Sequence, residues 1–417
     1  MRTWRIMINP KKKKDAVFCQ YLLTSTTDAR RMYNTANFYI RNTMTGIKKS
    51  PELRTPNETE VLHNVFAGIQ KANKARDTKY QKDLGKYKKG LSKKPPKKPK
   101  HFPYPTAKKW FLSYNVLDAI FKYTRNEVYY SMNSQLNQNA IRKIVAAWKG
   151  YFKILKDYQK NPSKYKERPN MPGYLRNPQY VAWFSNQTAK YSVEKDGKAY
   201  LRFTKNKELF CIGKASLYVG LRYVKTEIKP QHGCYLILVT FDDGVELPKI
   251  PEKPKRIIGI DPGIDNLAAV VNNFGVHPFL IKGGAVKAAN QWFNKKRASL
   301  LSAVTAGSDS RHSIKNSHSL YALSRKRDDL FRDIFYRAAW YICRFAVKHH
   351  ADVIVIGHNK DQKQEIRLGK QNNQSFVSIP FVRFEQILTN TAAKCEIPVI
   401  VQEESYTSKA SVLDGDV

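Results

Sequence analysis

The stretch RIIGIDPGIDNLAAVV, Arg256 to Val271, sets an aspartate, Asp261, at the end of an apolar run and directly before a Pro-Gly turn. A second apolar run, PVIVQEES, ends in Glu403 and Glu404. Short apolar runs bounded by turn residues read as strands, so all three carboxylates stand where a rigid backbone stops. Carboxylates from two neighbouring strand ends can share hard cations such as Mg²⁺. Two such ions, about 3.5 to 4 Å apart, can activate water and stabilise the leaving oxygen in phosphodiester hydrolysis. Side chains alternate along a strand, so Glu403 and Glu404 take opposite faces and one of them reaches the metal; the sequence leaves open which. The plainer alternatives are a turn in which Asp261 accepts backbone N–H groups and a solvated acidic end at the glutamates.

Other chemistries find no motif. The chain has neither a G-x-x-x-x-G-K-[ST] nor a G-x-G-x-x-G loop, no H-E-x-x-H among its nine histidines, and no C-x-x-C among its five cysteines. His349-His350 reads as a helix end. The charge is more informative: 74 Lys and Arg against 34 Asp and Glu give +40 over 417 residues. Such an excess repels itself unless a polyanion neutralises it, which points to nucleic acid. No apolar run approaches a spanning helix, and the N-terminus lacks a secretory apolar core, so the expectation is a soluble intracellular protein without a membrane partner.

The elements that must hold these residues fall into three parts. Residues 1 to 25 read as two short strands around a lysine turn, the first hairpin of a β domain, and Asp28 as a cap for the helix that follows. Lys71 to Lys100 carries 13 Lys or Arg against two Asp and ends in prolines, which predicts an extended basic arm. In NSQLNQNAIRKIVAAWKGYFKILKDYQKNP, Ile141, Ile144, Val145, Trp148, Phe152 and Leu155 form one helical stripe, with Lys143, Lys149, Lys153 and Lys156 mostly off it. A helix apolar on one side and cationic on the other suits the wall of a nucleic-acid channel. Gln179 to Glu246 alternates with period two and, with the N-terminal hairpin, predicts one β-barrel interrupted by the helical part. After the linker VELPKIPEKPK, strands and helices alternate, predicting a mixed α/β sheet. There a long helix buries Leu323, Leu330, Ile334, Ala338, Tyr341, Ile342 and Phe345.

Several collinear blocks resemble the TnpB proteins of insertion sequences, relatives of the type V CRISPR effectors. They are RRMYNTANFYIRN, the helical NSQLNQNAIRKIVAAWKGYFKILKDYQKNPSKYKERPNMPGY, IIGIDPGIDNLAAV, KAANQWFNKKRASL, VIVIGHNKDQKQ with NNQSFVSIPF, and EESYTSKASVLDGD. The resemblance implies a multidomain α+β and α/β fold. A β-barrel wedge domain (1–26 and 175–250) holds an inserted helical recognition domain (27–174, basic insert near 71–100), and a RuvC-like nuclease domain of the RNase H fold follows (255–417). It also implies a guide RNA transcribed near the gene, a double-stranded DNA target with a short adjacent motif, cleavage with two Mg²⁺ ions, and a prokaryotic cytoplasmic, nucleoid-associated location.

Carried over by position, Asp261 matches the first RuvC carboxylate. The family's second acid commonly ends the strand that here reads VIVIG, where this chain has Gly357. In a similar subgroup the role moves to the next strand, which places the second metal ligand on Glu403 or Glu404. The third acid belongs to a later segment than Asp414 and Asp416, so the resemblance implies either a truncated C-terminus or a third acid supplied otherwise. The resulting expectation is an RNA-guided DNA endonuclease. The alternatives are a cleavage-deficient RNA-guided DNA binder and an RNA-independent transposase.

Overall fold

The computed structural model describes residues 1–92, 94–131, 134–306, 317–358 and 379–403. The chain divides into two compact units, Met1–Gly244 and Val245–Val417.

In the first unit, β1 (Arg2–Ile8) pairs antiparallel with β7 (Cys234–Asp242), so Arg2 lies opposite Phe241 although the whole helical stretch separates them in sequence. Between β1 and the remaining strands come α1 (Ala16–Gly46), α2 (Pro56–Lys88), α3 (Tyr114–Tyr123), α4 (Glu127–Ser131) and α5 (Ser134–Lys160). Then follow β2 (Ala182–Ser185), β3 (Ala189–Val193), β4 (Lys198–Phe203), β5 (Leu209–Lys214) and β6 (Arg222–Gln231).

The expected N-terminal hairpin is absent, because residues 16–25 are the first turns of α1. Leu22, Thr26, Ala29, Tyr33 and Ala36 are buried at helical spacing, and that pattern outweighs the β propensity of the Val-Phe-Cys run. Asp28 lies inside the helix rather than capping it, buried and 3.4 Å from Arg31. With no strand to follow β1, the described strands do not close into a barrel. They make two open sheets, ordered β1-β7-β6-β2 and β3-β4-β5. Both sheets and the start of α1 share one core that includes Leu22, Phe184, Leu201, Phe203, Phe210 and Phe241.

The helices build a second core around Trp148, which is fully buried and donates from Nε1 to Asn37 Oδ1 at 2.9 Å. Ile141, Ile144 and Val145 join it as the stripe predicts, and Lys143, Lys149, Lys153 and Lys156 are exposed. The basic arm is only half as expected, since α2 runs on to Lys88. No proline interrupts residues 71–88, and Lys, Gln, Leu and Arg are good helix formers. Only the proline-bearing return is irregular, and its end is pinned. Asn73 exchanges two hydrogen bonds with the Phe102 backbone (2.8 and 3.0 Å), and the Arg76 guanidinium lies 3.6 Å from the Phe102 ring centroid.

The second unit holds a sheet ordered β10-β9-β8-β11-β12. Three antiparallel strands, β8 (Ile257–Asp261), β9 (Asn266–Asn272) and β10 (Phe279–Lys282), lead into α6 (Gly284–Thr305) and α7 (His318–Lys348). Then β11 (Val353–His358) runs parallel to β8, α8 (Phe381–Lys394) crosses over, and β12 (Val399–Glu403) runs parallel to β11. The buried side of α7 is rotated from expectation. Phe331, Phe335, Ala338, Ala339, Ile342 and Ala346 face the core, whereas Leu330 and Tyr341 are exposed. Small alanines let the helix approach the sheet closely and leave the bulkier neighbours outside. Among the described residues no helix is long and apolar enough to cross a membrane.

A capping box formed by Thr55 and Glu58 starts α2. The Thr45 hydroxyl, the Lys49 ammonium and the Thr55 amide hold the buried Glu58 carboxyl at about 2, below its ordinary 4.5. A lowered carboxyl stabilises when ionised, so its contribution is full above about pH 4.5 and is lost as the pH falls toward 2. Glu58→Gln should therefore unfold at a lower temperature than wild type at pH 7, with the gap closing on acidification. A gap that does not change with pH contradicts this.

Candidate nucleic-acid interface and acidic strand end

Asp261 is the last residue of β8 and is exposed. The parallel pairing of β8 with β11 matches Ile260 to Ile356, so the following row holds Asp261 and Gly357. Pairing of β11 with β12 then sets Gln402 beside Gly357 and Glu403 beside His358. Residues of one row share a face of the sheet, and successive rows alternate. Asp261, Gly357 and Gln402 therefore take one face, and His358 and Glu403 the other.

The second of these is the helix-covered face: Ile258, Ile260, Ile354 and Ile356 pack there with Phe335 of α7 and Phe384 of α8. His358 Nδ1 sits 2.8 Å from Oε1 of Glu385, a buried carboxylate on α8. This His–Glu pair escaped the sequence reading, since 27 residues separate its members and neither lies in a recognisable spacing.

Asp261 and Glu403 are thus not brought together, and the expectation that Glu403 shares a metal with Asp261 meets the sheet itself as an obstacle. Glu404, Asp414 and Asp416 lie outside the described residues, as does most of the polar stretch after β11. Among the described residues no group of three His, Cys, Asp or Glu side chains could hold a metal ion.

The turn after Asp261 is fixed by close backbone packing. Gly263 N donates to Asn266 O at 3.0 Å, and Gly283 N donates to Asp265 O at 2.8 Å. A Cβ at Gly283 would stand 1.9 Å from Ile264 O, so only glycine permits this approach. Lys287, one turn into α6, forms an ion pair with Asp265 on the same turn. At the other end of β8, the Asp352 carboxylate accepts from the backbone N–H groups of Arg256 (2.9 Å) and Lys255 (2.7 Å), which hold it below the usual carboxylate range. His349 and His350 end α7 as expected, His350 at a positive φ of 49°.

In the first unit exposed cations line α5 and the far part of α2 with its proline-bearing return, where Lys82, Lys86, Lys88, Lys89, Lys97 and Lys98 are all exposed. Arg142 adds a guanidinium 4.6 Å from the Tyr114 ring centroid. Apolar burial on one side and unneutralised ammonium groups on the other equip these elements to line phosphates.

Residues 237–362 match the OrfB_IS605 family model, described as a probable transposase. Over this segment the chain is similar to that family. The matched segment runs from β7 to just past β11, so it contains both Asp261 and Gly357 and stops before β12. No curated protein matches the chain. Among solved structures, a Cas12f1–sgRNA–target DNA complex is similar at 10% identity and a TM-score of 0.48. A CRISPR–Cas12f ternary complex is similar at 12% identity and a TM-score of 0.31. Each match covers 98% of this chain and 90% of the other.

Gly283→Ala should destabilise the second unit by about 1–3 kcal/mol, read as a lower denaturation midpoint, because backbone atoms must move to admit the methyl group. Gly284→Ala is the control, with no atom within 4 Å of the added carbon. Equal midpoints for the two variants would show that the turn beside Asp261 is not held this way.

Proposed function

We propose that this chain is a TnpB-family protein and an RNA-guided DNA endonuclease. The observation that carries the reading is Asp261: an exposed carboxylate at the end of the central strand of a mixed sheet, on the face opposite the packed helices, inside the family segment. In this reading residues 1–26 and 175–250 are the wedge domain, 27–174 the recognition domain, and 255–417 a RuvC-like nuclease domain. Its setting is the prokaryotic cytoplasm.

The division of labour follows from the charge. Base pairing with a guide RNA reads the target, and the protein holds the backbones of the heteroduplex through cations such as those of α2 and α5. Asp261 offers a fixed negative charge where a scissile phosphate would lie. A divalent cation bound there would polarise the phosphodiester and lower the pKa of a water. For the second carboxylate the reading takes Glu404 from the Glu403–Glu404 pair, because Glu403 shares the face of His358 and not that of Asp261. Gly357, in the row of Asp261, carries no carboxylate, so the reading looks to the next strand for the second acid.

The same glycine favours a second reading. With Gly357 where the family commonly carries an acid, the chain could be a guided binder that occupies DNA without cutting it. The family description, probable transposase, keeps RNA-independent strand joining as a third outcome of the test.

The test is to copurify the protein with its flanking transcript, sequence the bound RNA, and incubate the complex with matched duplex DNA and Mg²⁺. Guided cleavage should require the RNA and vanish in Asp261→Ala, while target binding stays nearly unchanged, since one carboxylate is minor against +40. Binding without cleavage in the wild type selects the guided binder. Cleavage that survives Asp261→Ala removes the nuclease assignment, and strand joining without RNA replaces it.

A further inference from the structure

Helix α7 leaves an unusual surface in solvent. Tyr336, Trp340 and Tyr341 are 48%, 55% and 54% exposed on two successive turns. With Thr391, Lys394 and Cys395 at the end of α8 they line a groove of about 720 Å³. The rings are held in place: Tyr341 meets Phe279 of β10 edge-on at 5.2 Å, and the Arg344 guanidinium lies 5.1 Å from the Trp340 centroid. Contiguous exposed aromatics of this kind mark an interaction site.

The charges in the groove restrict the occupant. Among the described residues its cations are Arg337 and Lys394, and no acid lines it. Arg337 is also paired with Asp333, one turn back on α7, at 2.9 Å. A second copy of the chain would bring another +40 against this surface, so self-association is opposed. An apolar protein surface would bury Lys394 without an acidic partner, at a desolvation cost. A polyanion that also carries flat apolar faces meets both demands. In a duplex those faces are covered by neighbouring bases; in a single strand they are free.

We propose that the groove between α7 and α8 is a stacking platform for an unpaired nucleic-acid strand, with bases against Trp340 and Tyr336 and phosphates on Arg337 and Lys394. This rests on the reading that the chain binds nucleic acid, and it adds a site for single strand.

The test uses the full chain and a labelled oligothymidylate of roughly 12 nucleotides, a length within the usual single-strand site sizes. An abasic strand of equal length and a duplex serve as comparators. Trp340→Ala should weaken oligothymidylate binding roughly 5- to 100-fold, leave the abasic strand and the duplex unaffected, and be largely rescued by Trp340→Phe. Lys394→Gln should instead lower the slope of log affinity against log salt by about 0.7. Equal losses for all three probes, or unchanged oligothymidylate affinity, overturn the proposal. Dimers in sedimentation that Trp340→Ala dissociates, with single-strand affinity intact, make the groove a self-association surface and overturn it too. No binding of any nucleic acid by the wild type sinks the platform and the functional reading together, whereas retained duplex and RNA binding with an unaffected Trp340→Ala sinks the platform alone.

Discussion

Parallel pairing of β8, β11 and β12 is the constraint on which the second unit depends. Once Ile260 is opposite Ile356 and Ile356 opposite Val401, every strand-end side chain has its face assigned. The apolar rows pin this register, because a slip of one residue would turn Ile258, Ile260, Ile354 and Ile356 out of the core. Chemistry is therefore confined to what the opposite face and the strand ends can carry. Asp261 takes that face and Glu403 does not.

The first unit meets a different constraint, that of assembling a chain with a large surplus of positive charge. Its solution is to bury wide apolar stripes, with Trp148 and Asn37 joining α5 to α1, and to place lysines on the outer sides. Pairing β1 with β7 closes the unit across its whole length, so the helices are bracketed by one sheet. A polyanion neutralising the outer faces would then stabilise the unit as well as occupy it.

Much of this was legible in the sequence, and the losses have physical causes. The α5 stripe, the α/β alternation after residue 255 and the strand end at Asp261 follow from periodicity and turn chemistry, which are local. The N-terminal hairpin failed because residues 16–25 have strand-like composition, while their burial follows contacts with sheets formed some 200 residues later. The barrel failed with it. On α7, choosing the bulkiest residues for the core misplaced Leu330 and Tyr341, because close packing on the sheet selects alanine. That Glu403 takes the face opposite Asp261 depends on register, which no local pattern encodes, and the His358–Glu385 pair likewise exists only through the fold.

The most direct measurement compares guided cleavage by Glu404→Gln and Glu403→Gln complexes under identical Mg²⁺ and RNA conditions. The account predicts that Glu404→Gln loses cleavage while still holding its target, and that Glu403→Gln keeps cutting. Loss in Glu403→Gln with activity retained in Glu404→Gln would contradict the face assignment, and a wild-type complex that holds matched DNA without cutting it would contradict the endonuclease itself.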